Sequence, residues 1–213
     1  METKIEWFEP GEIEKRSMAI IEQEMPGGSW TPGELKVVKR CIHTSADFDY
    51  AAALYFSPEA VEQAREILQS GVTIVTDTNM AAAGINKKAL KQHNCSVRCF
   101  MADEDVAWEA KERGITRAAV SMERAARLAG PVFLAIGNAP TALIRLYDMI
   151  RAGTFRPSFI IGVPVGFVNV TESKELIIGS GVPCIVAKGR KGGSNIAAAI
   201  CNALLYQIDT CNL

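Results

Sequence analysis

The sequence predicts an α/β domain: a doubly wound, mainly parallel sheet with a helical section packed against it at the N-terminus. Three observations predict it. Short apolar runs recur from residue 72 onward, at 72–76, 96–100, 132–136, 159–163 and 184–187. Helical segments lie between and after them, among them 141–150 and 194–206. The first 70 residues show helical periodicity instead. Near-continuous apolar strands alternating with helices belong to a parallel sheet covered on both faces, a Rossmann-like layout.

The elements follow in order. From Pro10 to about Met25, Ile13, Ile20, Ile21 and Met25 sit at helical spacing. Thr31-Pro32-Gly33-Glu34 is a capping-box start with proline at the first helical position. The helix it opens carries Leu35, Val38 and Ile42 on one stripe. A third helix begins at Ser57-Pro58-Glu59, presents Val61, Ala64 and Leu68, and ends at Gly71. No repeat or Ser/Gly linker divides the chain. Residues 1–213 therefore read as one domain, with 1–71 packed on a 72–213 core.

Composition narrows the function. A chain of 213 residues buries a core without staples. Its 48% hydrophobic and 22% charged content is that of a folded globular protein. The net charge of −1 supplies no global basic field, which argues against a nucleic-acid partner. Any anionic ligand must be met by local cations and backbone N–H groups. Cys41, Cys95, Cys99, Cys184, Cys201 and Cys211 form no CxxC pair and no zinc spacing, so they read as thiols of a reducing compartment. The start METKIEWFEP is unlike a signal or transit peptide, and 159–170 is too short and interrupted to span a bilayer. The expectation is a soluble cytoplasmic protein with no membrane partner and no metal.

In open α/β sheets ligands bind beyond the carboxyl ends of the strands. Here those ends run into Asp77-Thr78-Asn79-Met80, Gly137-Asn138-Ala139-Pro140-Thr141, Val163-Pro164-Val165-Gly166-Phe167 and Lys188-Gly189-Arg190-Lys191-Gly192-Gly193-Ser194. Singly, such loops are ordinary connections. Four together suggest backbone closely approaching a large ligand.

Among individual side chains, His43 stands out. It follows the apolar stripe of the second helix and lies three residues after Arg40, on a shared face. Imidazole is the group suited to exchange protons near neutrality, although a helix-end histidine is also a common structural residue. His93 sits in a polar stretch and reads as surface. Ser17 is mid-helix, where serine usually bonds back to the preceding turn. Arg117 follows Thr116, an N-cap candidate, and a cation there suits an anion in front of it. Lys188, Arg190 and Lys191 precede Gly192-Gly193-Ser194 at a helix start, an anion-site pattern without P-loop spacing. Asp77 ends the first apolar run, as a ligand acid or as a cap of the next helix. No GxGxxG follows that run, and no HExxH or GxSxG is present. The residues alone reach a binding domain for an anionic ligand with one proton donor, and name no substrate.

Longer runs are more specific. Ile13-Glu14-Lys15-Arg16-Ser17, Arg40-Cys41-Ile42-His43, Ala135-Ile136-Gly137-Asn138-Ala139-Pro140-Thr141-Ala142-Leu143 and Gly162-Val163-Pro164-Val165-Gly166-Phe167-Val168 with Glu172-Ser173-Lys174 resemble the precorrin-8X and cobalt-precorrin-8 methylmutase family. The likeness covers nearly the whole chain in order. It implies an isomerase of cobalamin biosynthesis that moves a methyl group from C11 to C12 of the macrocycle, without a separate cofactor, as a homodimer. The apolar C-terminal helix, Ile196 to Leu205, and the N-terminal helices offer more apolar surface than one sheet face needs, which with the resemblance suggests a two-fold dimer. The resemblance places the acid–base role on His43 and substrate contacts on Ser17 and Arg40, with Arg117 matching an arginine of the same pocket. The loops at the strand ends add Asp77, Asn138 and Arg190 as further substrate-binding candidates. The chain departs from the pattern at Ala118, where a small hydroxyl residue is expected. Asp77-Thr78-Asn79-Met80 and Gly189-Arg190-Lys191-Gly192 look more like the cobalt-bearing branch. Two alternatives stand beside this reading: a non-catalytic tetrapyrrole carrier and a nicotinamide-dependent oxidoreductase.

Overall fold

The computed structural model describes residues 7–208, so Cys211 lies outside the described residues. The chain runs α1 (Pro10–Glu24), α2 (Pro32–Ser45), α3 (Tyr50–Ala53), β1 (Leu54–Phe56), α4 (Ala60–Gln69), β2 (Thr73–Thr76), α5 (Asn79–Gly84) and α6 (Lys87–Gln92). It continues through β3 (Ser96–Cys99), α7 (Glu104–Glu112), α8 (Arg117–Ala125), β4 (Val132–Ile136), α9 (Pro140–Arg151), β5 (Phe159–Gly162), α10 (Val170–Ile178), β6 (Cys184–Ala187) and α11 (Ser194–Ile208).

The six strands form one sheet in the order β1-β6-β5-β4-β2-β3. Strands β2 to β6 pair in parallel, and β1 joins β6 antiparallel at the edge. The doubly wound, mainly parallel fold is therefore as the sequence predicts. Side chains alternate between two cores. Phe133, Ala135, Phe159 and Ile161 enter a core that also receives residues of α2, α4, α5, α6 and α11. Leu134, Ile136 and Ile160 enter the other, shared with α7, α8, α9 and α10. Phe133 and Phe159 stack across neighbouring strands with ring centroids 4.8 Å apart, and truncating either to alanine would cost roughly 3–5 kcal/mol.

Local chemistry explains the helix that matters most. Thr31 Oγ1 accepts from Glu34 N at 3.2 Å, and Glu34 Oε2 accepts from Thr31 N at 2.8 Å, so the expected capping box closes. Helix α2 then buries Val37, Val38, Cys41 and Ile42, while Leu35 is only half-buried. Its last turn ends at Ala46 in the left-handed region, φ 54°.

Two expectations need correction. The section before residue 72 is not purely helical, because Leu54–Phe56 adds an edge strand to the sheet. Helix α11 was expected to offer spare apolar surface, yet Ile196, Ile200, Leu204 and Leu205 are enclosed within the chain. Tyr206 apart, the exposed apolar residues lie on other elements, among them Phe167 and Val168 after β5, Met80 after β2, and Ile13 and Ile20 on α1.

Candidate active site

Read from β3, the parallel strands follow the order β3-β2-β4-β5-β6, which reverses direction between β2 and β4. A crevice at such a switch point is the usual ligand site of an open α/β sheet. Here Asp77 fills it. The carboxylate, fully buried, accepts from Gly137 N at 2.8 Å, Asn138 N at 2.7 Å and Ala139 N at 2.6 Å. Burial lifts its pKa above the ordinary value, and the three N–H groups pull against that rise. These N–H groups lead into α9, where an anion would otherwise dock. Asp77, expected as a substrate contact, is thus held inside the fold as the acceptor for the 137–139 turn. It does not cap α5 either, since Thr78 does, accepting from Ala81 N.

Around this point the four loops are tied together. Thr78 Oγ1 and Ser194 Oγ share a 2.7 Å hydrogen bond. Gly193 N donates to Val163 O at 2.9 Å, and Gly166 N to Arg190 O at 3.2 Å. Gly137 passes so close to α11 that a Cβ there would stand 2.7 Å from Ser194 Cα. The ring leaves Asn138 and Arg190 exposed, with the Arg190 guanidinium 5.5 Å from the Phe167 ring. Arg117 is also exposed, at the start of α8, where Thr116 caps by accepting from Ala119 N. Thr116 Oγ1 donates to Thr141 Oγ1 at 2.9 Å, which sets the Arg117 turn against the start of α9.

A second group gathers on α1 and α2. Lys36, Lys39, Arg40 and His43 occupy positions i, i+3, i+4 and i+7, one stripe of α2. The first three line a groove of about 640 Å³ between α1, α2 and α11, which Met18 and Tyr206 also border. That volume is within the range of small-molecule sites. Glu14 pairs with Arg40 and Glu22 with Lys39, both at 3.0 Å, so α1 supplies counter-charges to the stripe. His43 is exposed one turn beyond, at the carboxyl end of α2. Ser17 behaves as mid-helix serines do, donating to Ile13 O at 2.8 Å. The two groups of residues meet through the segment after α2: Lys191 pairs with Asp47 and Asp49, and Tyr50 Oη donates to Gly192 O at 3.4 Å. Lys36, Lys39 and Arg40 thus line the groove, with the His43 imidazole one turn beyond it and Arg190 and Arg117 on the open loop face.

Comparison with known proteins settles the family. Residues 12–207 match the family model described as precorrin-8X methylmutase. The chain belongs to the precorrin-8X methylmutase family. The cobalt-precorrin-8 methylmutase of Salmonella typhimurium is 43% identical, over 94% of this chain and 96% of that one. That of Leptospira interrogans is 42% identical over 91% of each chain, and the precorrin-8X methylmutase of Pseudomonas aeruginosa is 40% identical over 94% and 97%. The solved precorrin-8X methylmutase of Thermus thermophilus superposes with a TM-score of 0.86 at 36% identity, covering 94% of this chain and 99% of that one.

As a methylmutase the chain is an isomerase, and the nicotinamide-dependent alternative gives way. Among the described residues no helix is long and apolar enough to cross a membrane. Two features of this methylmutase escaped the sequence reading. Lys191 turns toward aspartates rather than standing free. Lys174 is fully buried, and its signal was its position: Val170, Ser173, Lys174 and Ile177 form the inward stripe of α10.

Proposed function

We propose that this chain performs the C11-to-C12 methyl shift of cobalamin biosynthesis on cobalt-precorrin-8, giving cobyrinate, with His43 as the acid–base residue. In the step, the C11–methyl bond breaks as the C12–methyl bond forms, and no atom enters or leaves. The shift needs the macrocycle in one tautomer, and His43 would exchange the proton on the ring C nitrogen that sets it. Arg40, Arg117 and Arg190 would meet the acetate and propionate groups, with Ser17 and Asn138 as hydrogen-bonding partners. Asp77 would hold the Asn138 loop.

The observation that carries this reading is an exposed imidazole ending the basic stripe of α2, in a chain of the methylmutase family. Relatives of both names are about equally similar, so preference for the cobalt-bearing substrate rests on the 77–80 and 189–192 loops. We further place the enzyme in the cytoplasm as a homodimer. The free cysteines support the first, and exposed Phe167, Val168 and Met80 support a covered apolar face.

One preparation assayed on both precorrin-8 and cobalt-precorrin-8 tests the reading. Faster conversion of the cobalt form is expected. Product binding without turnover of either substrate would favour a tetrapyrrole carrier. Light scattering at micromolar concentration should give twice the chain mass.

A further inference from the structure

Lys174 has no exposed surface. Lysines are almost never enclosed this way unless paired. Here Nζ donates to two backbone carbonyls instead, Gly189 O and Lys191 O, each at 2.8 Å. Both carbonyls belong to the loop that leaves β6 for α11. Burying an ammonium is costly, and a plain connection would not need one.

The consequence is geometric. In a trans peptide the carbonyl and the N–H of the same unit point in opposite directions, and every peptide of this turn is trans. Drawing the Gly189 and Lys191 carbonyls in toward α10 therefore turns the N–H groups of Arg190 and Gly192 away from it. The exposed Arg190 side chain leaves the same turn, and beyond Gly193, whose N–H is taken by Val163 O, come the first-turn N–H groups of α11, which have no intrahelical acceptor. From beneath, one buried cation shapes a short run of outward donors.

We propose that Lys174 is a positioning residue for substrate binding, which holds the 189–193 turn in the conformation that presents Arg190 and its neighbouring N–H groups to the substrate's carboxylates. The proposal rests on the methylmutase reading, since that reading supplies a polycarboxylate ligand.

The test compares wild type, Lys174→Met, Arg190→Ala and the double variant, with cobyrinate as the binding probe. Methionine keeps the apolar stem and removes the donor. Lys174→Met is expected to raise KM and weaken cobyrinate binding at least tenfold, with kcat within about threefold of wild type. Arg190→Ala should matter much less in the Lys174→Met background, because the turn that aims it is already lost. A structural role alone predicts unchanged KM, a lower melting temperature, and additive variants; that outcome overturns the proposal. If Lys174→Met does not fold, Gly189→Val decides. Gly189 has φ +72° and open space around a Cβ, so valine strains the turn locally without a clash. Normal cobyrinate affinity in a folded Gly189→Val enzyme would equally overturn it. Absence of turnover in the wild type would instead count against the methylmutase reading.

Discussion

Lys191 and Asp47 stand 144 residues apart in sequence, and their charged groups meet at 2.6 Å. The same ammonium reaches Asp49 at 2.5 Å. Lys191 and Asp49 are exposed and Asp47 is half-buried, so the cluster contributes little to stability. Its effect is on geometry. It fixes the loop after β6 against the segment that follows α2, and so relates the Arg190 turn to the end of the helix that carries His43. The hydrogen bond from Lys191 holds the Asp47 carboxyl below its ordinary pKa. The attraction is therefore complete above the unfolded-state value and is lost as pH falls through the lowered one.

Lys191→Ala should leave the denaturation midpoint nearly unchanged. Amide exchange across residues 188–193 should become faster, and the wild type in about 0.5 M salt should approach the variant, because exposed pairs are screened. Equal exchange rates in wild type and variant at low salt would show that the tie does nothing.

Lys174 gives a dependence in the opposite pH range. Burial alone pushes its pKa from 10.5 down to about 8. Between those values the unfolded chain binds more protons than the folded one, so stability should rise with pH across that window. The gain approaches about 3 kcal/mol at most, from the size of the shift. Buried thiols titrate nearby, with Cys184 pushed up to about 11 and Cys201 to about 12. Subtracting the Lys174→Met curve removes them. A flat difference between pH 8 and 10.5 would mean that Nζ is not desolvated as described.

Asp77→Asn should destabilise the fold by about 2–4 kcal/mol, because an amide group would face N–H donors that now share a carboxylate. Urea denaturation measures it. Since the Asn138 loop moves with it, product affinity should fall as well. A variant as stable as wild type would mean that the 137–139 loop is held by other contacts.

How much of this was legible beforehand depended on where each interaction partner sits. The Thr31–Glu34 box spans four residues and can be read directly. The sheet was legible because strands such as Val132–Ile136 are buried on both faces, which leaves an unbroken apolar run. Strand β1 was not, because its three residues close the apolar stretch 50–56, which begins as the helical turn α3, and nothing in that stretch marks where helix gives way to strand. Asp77 was noticed for its place at a strand end, but its partners lie about 60 residues on, and only the fold brings them together. The apolar α11 was taken as spare surface because its pattern does not say which neighbours cover it. His43 and Arg40 were legible as a shared helix face. That Arg40 carries Glu14 as counter-charge depends on how α1 lies across α2.

The sharpest prediction concerns His43. A structural histidine would be enclosed and hydrogen-bonded, and its loss would lower stability together with activity. This one is exposed on the last turn of α2, so its removal takes away little packing. His43→Ala should therefore fold with a near-normal melting temperature, retain most cobyrinate affinity, and lose about 10²–10⁴-fold in single-turnover rate, the usual contribution of a general acid–base group. His43→Asn should bind better than the alanine variant, since an amide can still hydrogen-bond the macrocycle, and should remain poorly active because it cannot titrate. The two variants separate holding the ring from setting its proton. Near-normal single-turnover chemistry in a well-folded His43→Ala enzyme would remove the acid–base role, leaving the methyl shift to depend on how the macrocycle is held.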